Sequence, residues 1–217
     1  MKICITTLEY PPDVGGVGES VKRIGTMLAE LDHEVHIVVF HSSRRLEQSD
    51  HVTQKGFLTE TEGKLQVHRY QSVSRTGSSS KQDFMSDVYG ELRRLHDRLG
   101  FDIFHGFYIN ETGFLTTLLA REVERPVINS IRGADLHRNV FNPQQYGQIE
   151  WALQHSDWLT FVSQELEKRA QVLAPSVQGR TSAFWNSIVP IDFGDIARPA
   201  AACGQRSASR GMISWRR

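Results

Sequence analysis

Apolar residues arrive along this chain in two rhythms, short unbroken runs and stripes at steps of three and four, and the two alternate for most of its length. Lys2 to Leu8 is short, β-branched and nearly uncharged, as a strand covered on both faces must be. Pro11 and Pro12 stop it, because proline fixes φ and lacks the ladder donor. Val17, Val21, Ile24, Leu28 and Leu31 then mark one helical face. His33 to Phe40 predicts a second strand, and Leu65 to Tyr70 one with a wet face. Phe84, Val88, Leu92, Leu95 and Leu99 stripe a helix that Gly100 ends. Strands are predicted again at Phe101 to Gly106, Pro126 to Ile131 and Asp157 to Val162, with an apolar helix at Thr112 to Val123. Asn142-Pro143 is an N-cap with proline at the first helical position, opening a helix striped by Tyr146, Ile149 and Leu153. Ser163 is placed to cap another, carrying Leu166, Ala170 and Leu173. His41 to Lys64 is polar and expected to be irregular; Ser72 to Gln82 is expected to be too polar to pack, and mobile.

Alternating strands and helices predict an α/β fold, a Rossmann-like parallel sheet flanked by helices with right-handed crossovers. Ligands of such sheets bind beyond the carboxyl ends of the strands, which singles out Glu9 to Gly18, His105 to Glu111, Arg132 to His137, and Ser163. Gly15-Gly16-Val17-Gly18 sits where a helix begins, so unpaired N–H groups and the positive end of the helix dipole face whatever lies above the strand. Phosphate is the natural guest there; the plainer reading is a corner that needs glycine only for packing. Val21 stands where a dinucleotide loop has its third glycine, and Gly18 is followed by Glu19-Ser20 rather than the Lys-Ser/Thr of a P-loop. An NAD site and an ATPase core are disfavoured.

Composition narrows the classes. The 217 residues are 39% hydrophobic and 23% charged with zero net charge, which gives nucleic acid no basic excess to bind. Cys4 and Cys203 are the only cysteines, so a reducing compartment fits better than a disulfide framework. Nothing approaches the ~20 apolar residues of a membrane span, and a cytoplasmic protein is expected. His33 and His36 read His-Glu-x-His into a strand, not His-Glu-x-x-His on a helix, and neither metal nor cofactor is expected.

Glu9-Tyr10-Pro11-Pro12, the glycine turn, its helix and the His-Glu-Val-His strand resemble the N-terminal domain of retaining glycosyltransferases with the two-domain type B fold. Asp102-Ile103-Phe104-His105 is similar to that family's Asp-x-x-His, and Ile131-Arg132-Gly133-Ala134-Asp135 to its Thr-x-His-Gly-x-Asp. Asp157 to Ser163 and Asn186-Ser187-Ile188 continue the order. The resemblance implies transfer of a sugar, with retention, from a nucleotide-sugar donor to a sugar or lipid-linked acceptor. It implies that Gly15, Gly16, Val17 and Gly18 contact donor phosphate or sugar, and that Tyr10, Tyr108, Asn110, Glu111, Arg132 and Asp135 face the acceptor. His105, Arg132 and Asp135 become the catalytic candidates. The histidine of the family's His-Gly is Arg132 here, the second histidine that often follows its Asp-x-x-His is Phe107, and its two glutamates eight positions apart are missing.

Residues 1–190 therefore read as the acceptor-side domain and 191–217 as an irregular basic tail, with Arg198, Arg206, Arg210, Arg216 and Arg217 and no acid after Asp195. The donor-binding C-terminal domain is expected to be absent and the chain inactive alone, a truncated frame or a subunit completed by a separate chain. The tail suggests at most peripheral contact with the inner face of a membrane. The rival reading is a non-enzymatic α/β module, or regulatory half-subunit, holding a phosphorylated ligand on the glycine turn.

Overall fold

The first apolar run becomes β1 (Lys2–Thr7), buried from Ile3 to Thr7. A computed structural model describes residues 1–40, 56–71 and 81–185. After β1 come α1 (Gly16–Glu30), β2 (Glu34–Val39), β3 (Gly56–Glu62), β4 (Leu65–Gln71) and α2 (Lys81–Leu99). Then follow β5 (Ile103–Phe107), α3 (Glu111–Glu122), β6 (Val127–Ile131), the single turn α4 (Ala134–His137) and α5 (Pro143–His155). β7 (Trp158–Phe161), α6 (Gln164–Leu173) and β8 (Thr181–Ala183) complete the order, with short 3-10 turns at Asn139–Phe141 and Pro175–Val177. One sheet of eight strands runs β3-β4-β2-β1-β5-β6-β7-β8, parallel throughout except that β3 is antiparallel to β4. This is the expected Rossmann-like α/β sheet.

Each face of the sheet buries a different set. Cys4, Val38 and Phe104 pack under α2 and α3 with Leu92, Leu95 and Leu119. Ile3, Ile5, Val35, Ile37 and Phe107 turn the other way, toward α1 and Val21. A third cluster, with Ile149, Leu153, Phe161 and Leu166, lies beneath α5 and α6. No helix among the described residues is long and apolar enough to cross a membrane.

Several expectations change. Gly56–Glu62 is a strand, not irregular polar chain: its threonines alternate, and Gly63, at φ +60°, turns it back onto β4. β4 has no wet face, because His68 and Arg69 are each only 2% exposed. Lys81 and Gln82 open α2 rather than closing a loop; residues 41–55 and 72–80 lie outside the described residues, as do Asn186-Ser187-Ile188 and the basic tail. The buried stripe of α1 is Gly18, Val21, Gly25 and Ala29, and Leu31 is exposed. Small residues let α1 approach the sheet so closely that a Cβ on Gly25 would sit 3.2 Å from Ile37. Tyr146 leaves the stripe of α5, which is Ile149, Ala152 and Leu153. The caps hold: Asn142 accepts from the Gln144 amide at 3.0 Å and Ser163 from that of Leu166 at 3.3 Å.

The two histidines beside the sheet edge form a polar chain inside the protein. His36 Nδ1 lies 2.9 Å from His68 Nε2, His36 Nε2 is 3.1 Å from Glu34, and Thr59 Oγ1 is 2.8 Å from His68 Nδ1. The rings stack with an interplanar angle of 11°. Burial disfavours the charged form and pulls His68 down to about 4, and His36 down as well. The native state thus refuses protons that unfolded histidine takes up near its ordinary value, so stability is complete above about pH 6.5 and drains away as pH falls toward 4. Asp135, raised to about 6 by its own burial, works in the opposite sense, but His105 is also lowered to about 4 and the histidines prevail. Thermal melts between pH 7 and 4.5 are expected to show steadily falling Tm, with a shallower acid limb in His68→Gln. An unchanged limb in that variant would exclude His68 from the effect.

Candidate functional site

Because β2 and β4 lie on one side of β1 and β5 through β8 on the other, the strand order reverses between β1 and β5. A crevice at the carboxyl ends of the strands follows from that reversal. One wall is the segment after β1, the other the segments after β5 and β6.

The first wall begins with Glu9 and ends in the glycine turn. Helix α1 starts at Gly16, with Gly15 extended as its N-cap, and no side chain caps it. The helical ladder begins only at the Glu19 amide, which donates to the Gly15 carbonyl, so the first-turn amides precede it. The three glycines differ. A Cβ on Gly18 would meet Tyr10 Cα at 3.1 Å, so this glycine lets the helix press on the backbone after β1. A Cβ on Gly16 would meet nothing within 4 Å, and Gly16 is not in the left-handed region. A Cβ on Gly15 would lie 1.9 Å from Glu9 Oε2. The chain's own carboxylate therefore rests on the N-cap, where a negative charge is favoured.

Tyr10 is a correction to the expected acceptor face. It is wholly buried, its hydroxyl 3.3 Å from Glu62, with the Arg69 guanidinium 5.4 Å from its ring centroid. Arg69 was not singled out by the sequence, yet it donates to the Pro11 carbonyl and lies 3.6 Å from both Glu60 and Glu62. Its signal was a cation at a β4 position in step with Leu65 and Val67, which the wet-face reading absorbed. Together Tyr10 and Arg69 brace the glycine turn from behind.

The second wall is built on a close contact. Tyr108 has φ +70°, and its carbonyl accepts from the Gly113 amide at 2.7 Å. A Cβ on Gly113 would come within 2.6 Å of that carbonyl, and one on Gly106 within 2.2 Å of Asn129 Oδ1 and 3.0 Å of Gly113 Cα. β5 and α3 thus meet backbone to backbone. The Tyr108 hydroxyl reaches Glu9 Oε1 at 3.4 Å, closing the crevice from both sides. Burial and the Glu9 charge push its phenol up to about 12, so it is a proton donor in this contact. Glu111 begins α3 and is partly exposed; Asn110 is only 4% exposed, its Oδ1 without a hydrogen-bond partner, so it lines the interior rather than the open crevice.

Arg132 follows β6, half-buried, its guanidinium 5.4 Å from the Phe107 ring centroid and within electrostatic range of Tyr108 and Asp135. Asp135 is fully buried and accepts the Arg132 amide at 2.8 Å. Burial raises its carboxyl to about 6, against the amides of Arg132, Ile109, Asp135 and Gly133, which lower it. Asp135 therefore locks the loop that carries Arg132, with Gly133 at φ +125°, and does not itself reach the crevice. His105 is likewise placed as support: Nε2 is 2.8 Å from Ser130 Oγ, which is 2.6 Å from Thr160 Oγ1. Lowered to about 4 by burial and by Arg132, its ring is neutral near pH 7.

A family model described as Glycosyltransferase Family 4 matches residues 14–178, three-quarters of the chain and both walls from the glycine turn onward. The chain belongs to glycosyltransferase family 4. Solved structures agree on the fold of this family 4 domain. Sucrose-phosphate synthase from Thermosynechococcus elongatus matches with TM-score 0.60 and 12% identity over 86% of this chain and 48% of that one. The catalytic domain of starch synthase IV from Arabidopsis thaliana bound to ADP and acarbose gives 0.59 and 17% over 86% and 51%. UDP-GlcNAc 2-epimerase from Methanocaldococcus jannaschii gives 0.57 and 12% over 84% and 45%. The chain spans about half the length of each, one Rossmann-like half of a two-domain type B fold. No curated protein sequence matches it.

The glycines of this family 4 domain make a graded test. Gly16→Ala is expected to leave the melting temperature unchanged or raise it, and Gly15→Ala to displace only the Glu9 carboxylate. Gly18→Ala must shift backbone and is expected to cost about 1–3 kcal/mol in denaturant unfolding, the usual range for overpacking. Equal costs at Gly16 and Gly18 would contradict this assignment.

Proposed function

We propose that this chain is the acceptor-side half of a retaining glycosyltransferase, presenting an acceptor hydroxyl to a sugar carried on a nucleoside diphosphate, and that it transfers no sugar alone. The observation that carries this reading is the pairing of Glu9 with Tyr108 across the strand-order reversal, with Arg132 beside them. A carboxylate accepts hydrogen bonds from sugar hydroxyls, a protonated phenol donates, and a half-buried guanidinium offers a fork of donors to hydroxyl or phosphate oxygen. That the starch synthase neighbour is solved with ADP and acarbose is in keeping with a nucleotide-sugar donor and a glycan acceptor here.

The residues divide the work by their environments. The amides opening α1 are aimed at charge that grows on a departing diphosphate, where they are worth most if water is excluded. Glu9, now on that N-cap, must swing aside or share the site with an incoming phosphate. His105 is buried with its Nε2 engaged by Ser130, so it is read as a wall of the site and not its base. Asp135 acts through the loop it fixes. Membrane contact at the cytoplasmic face is part of this reading only as the place where a lipid-linked acceptor would be met.

Half a cleft cannot align donor with acceptor, and alignment supplies on the order of 7–11 kcal/mol in favourable reactions. Incubated with a panel of nucleotide sugars, the purified chain is expected to release no nucleoside diphosphate above a boiled control. Titration with UDP or ADP is expected to give millimolar binding, about −4 kcal/mol. Glu9→Gln is expected to tighten that binding about fivefold, the scale of a single charge at a helix N-terminus. Turnover by the lone chain, or weaker diphosphate binding in Glu9→Gln, would overturn the reading.

A further inference from the structure

On the flank of the domain, α4, the Asn139–Phe141 turn, the first turns of α5 and the length of α6 enclose an apolar groove of about 400 Å³. Leu136, Val140, Tyr146 and Leu173 line it, and Phe141 and Val172 stand on its rim, 75% and 81% exposed. Leaving a phenylalanine and a valine so far in water around a preformed apolar trough is a cost that folding alone does not explain. The core beneath is already closed, with Ile149, Leu153 and Leu166 fully or almost fully buried.

Charge decides what fits. Lys168 and Arg169 border the groove, and Arg138 stands exposed where the Asn139–Phe141 turn begins. The single acid on the lining, Glu165, pairs with Arg169 at 2.8 Å, which leaves Lys168 and Arg138 as a cationic excess beside protruding apolar side chains. Apolar residues that insert, with cations at the level above them, is the pattern of a surface that lies on lipid. We propose that this face docks on an anionic lipid surface, with the groove admitting one acyl chain. Leu136 follows Arg132 by four residues across the Gly133–Asp135 lock, so one segment carries both a groove-lining residue and a crevice residue. Docking itself does not rest on the transferase reading.

The test is sedimentation of the full chain with vesicles of phosphatidylcholine alone and with about one third phosphatidylglycerol, where each surface cation contributes ~1 kcal/mol. Binding is expected only to the anionic vesicles. Lys168→Gln is expected to weaken it about fivefold, the same quantity expressed as a ratio. Phe141→Ser with Val172→Ser changes only exposed side chains; it is expected to keep the melting temperature and reduce binding more than tenfold. A lipid with a photoactivatable acyl chain is expected to label peptides spanning 136–146 and 165–173. No binding to anionic vesicles overturns the proposal. So does binding that survives the double variant, which assigns it to the arginines after Asp195, and so does a dimer that the double variant dissociates without any effect of lipid.

Discussion

A parallel strand sealed on both faces can offer a ligand nothing but its end, and β1 is such a strand. From Ile3 to Thr7 it is buried, paired on one edge with β2 and on the other with β5. Its side chains belong to two different cores, and its backbone donors and acceptors are spent on its neighbours. Chemistry is displaced to its carboxyl end, where the sheet order reverses. The glycine turn, Tyr108 and Arg132 converge there because three strands end side by side, not because they are near in sequence.

Charge around that point is organised by depth. Asp135 is fully buried, its carboxyl raised by that burial and held down by the surrounding amides, and it serves the backbone. Glu9 stays near the surface, where its carboxylate is balanced by the N-terminus of α1 and by the Tyr108 hydroxyl. Arg69, also buried, on the α1 side, is compensated by Glu60 and Glu62 and holds a carbonyl rather than a ligand. Asp135 and Arg69 thus serve the frame, while Glu9 and the half-buried Arg132 border the crevice, a division that burial imposes.

Much of this was legible. Runs and stripes placed six of the strands and the longer helices, because covered parallel strands and amphipathic helices write themselves in periods that side chains cannot disguise. Topology then pointed to the right loops. Two edge strands escaped: β3 is largely polar, being half-solvated, and β8 is only three residues long. At the site, residue type could not tell depth. Tyr10 and Asp135 look like ligand contacts in sequence and are buried supports. Glu9 lay in the loop that topology singled out, but only the position of Gly15 in space revealed its carboxylate on the helix end.

The close contacts on either side of the crevice have a further meaning. Gly18 sets α1 directly on the Tyr10 backbone, and Gly106 and Gly113 set β5 directly on α3, so no side-chain layer lies between the pieces that define the gap. Each wall is held together by backbone contact, and the two walls are spaced by the pairing of β1 with β5. Mutation can repaint the surfaces at Glu9, Tyr108 and Arg132 without altering the spacing between them, as jaws of a fixed gauge can be refaced. A lineage built on this frame is free to change what it recognises by single substitutions while the distance across which recognition happens is inherited intact.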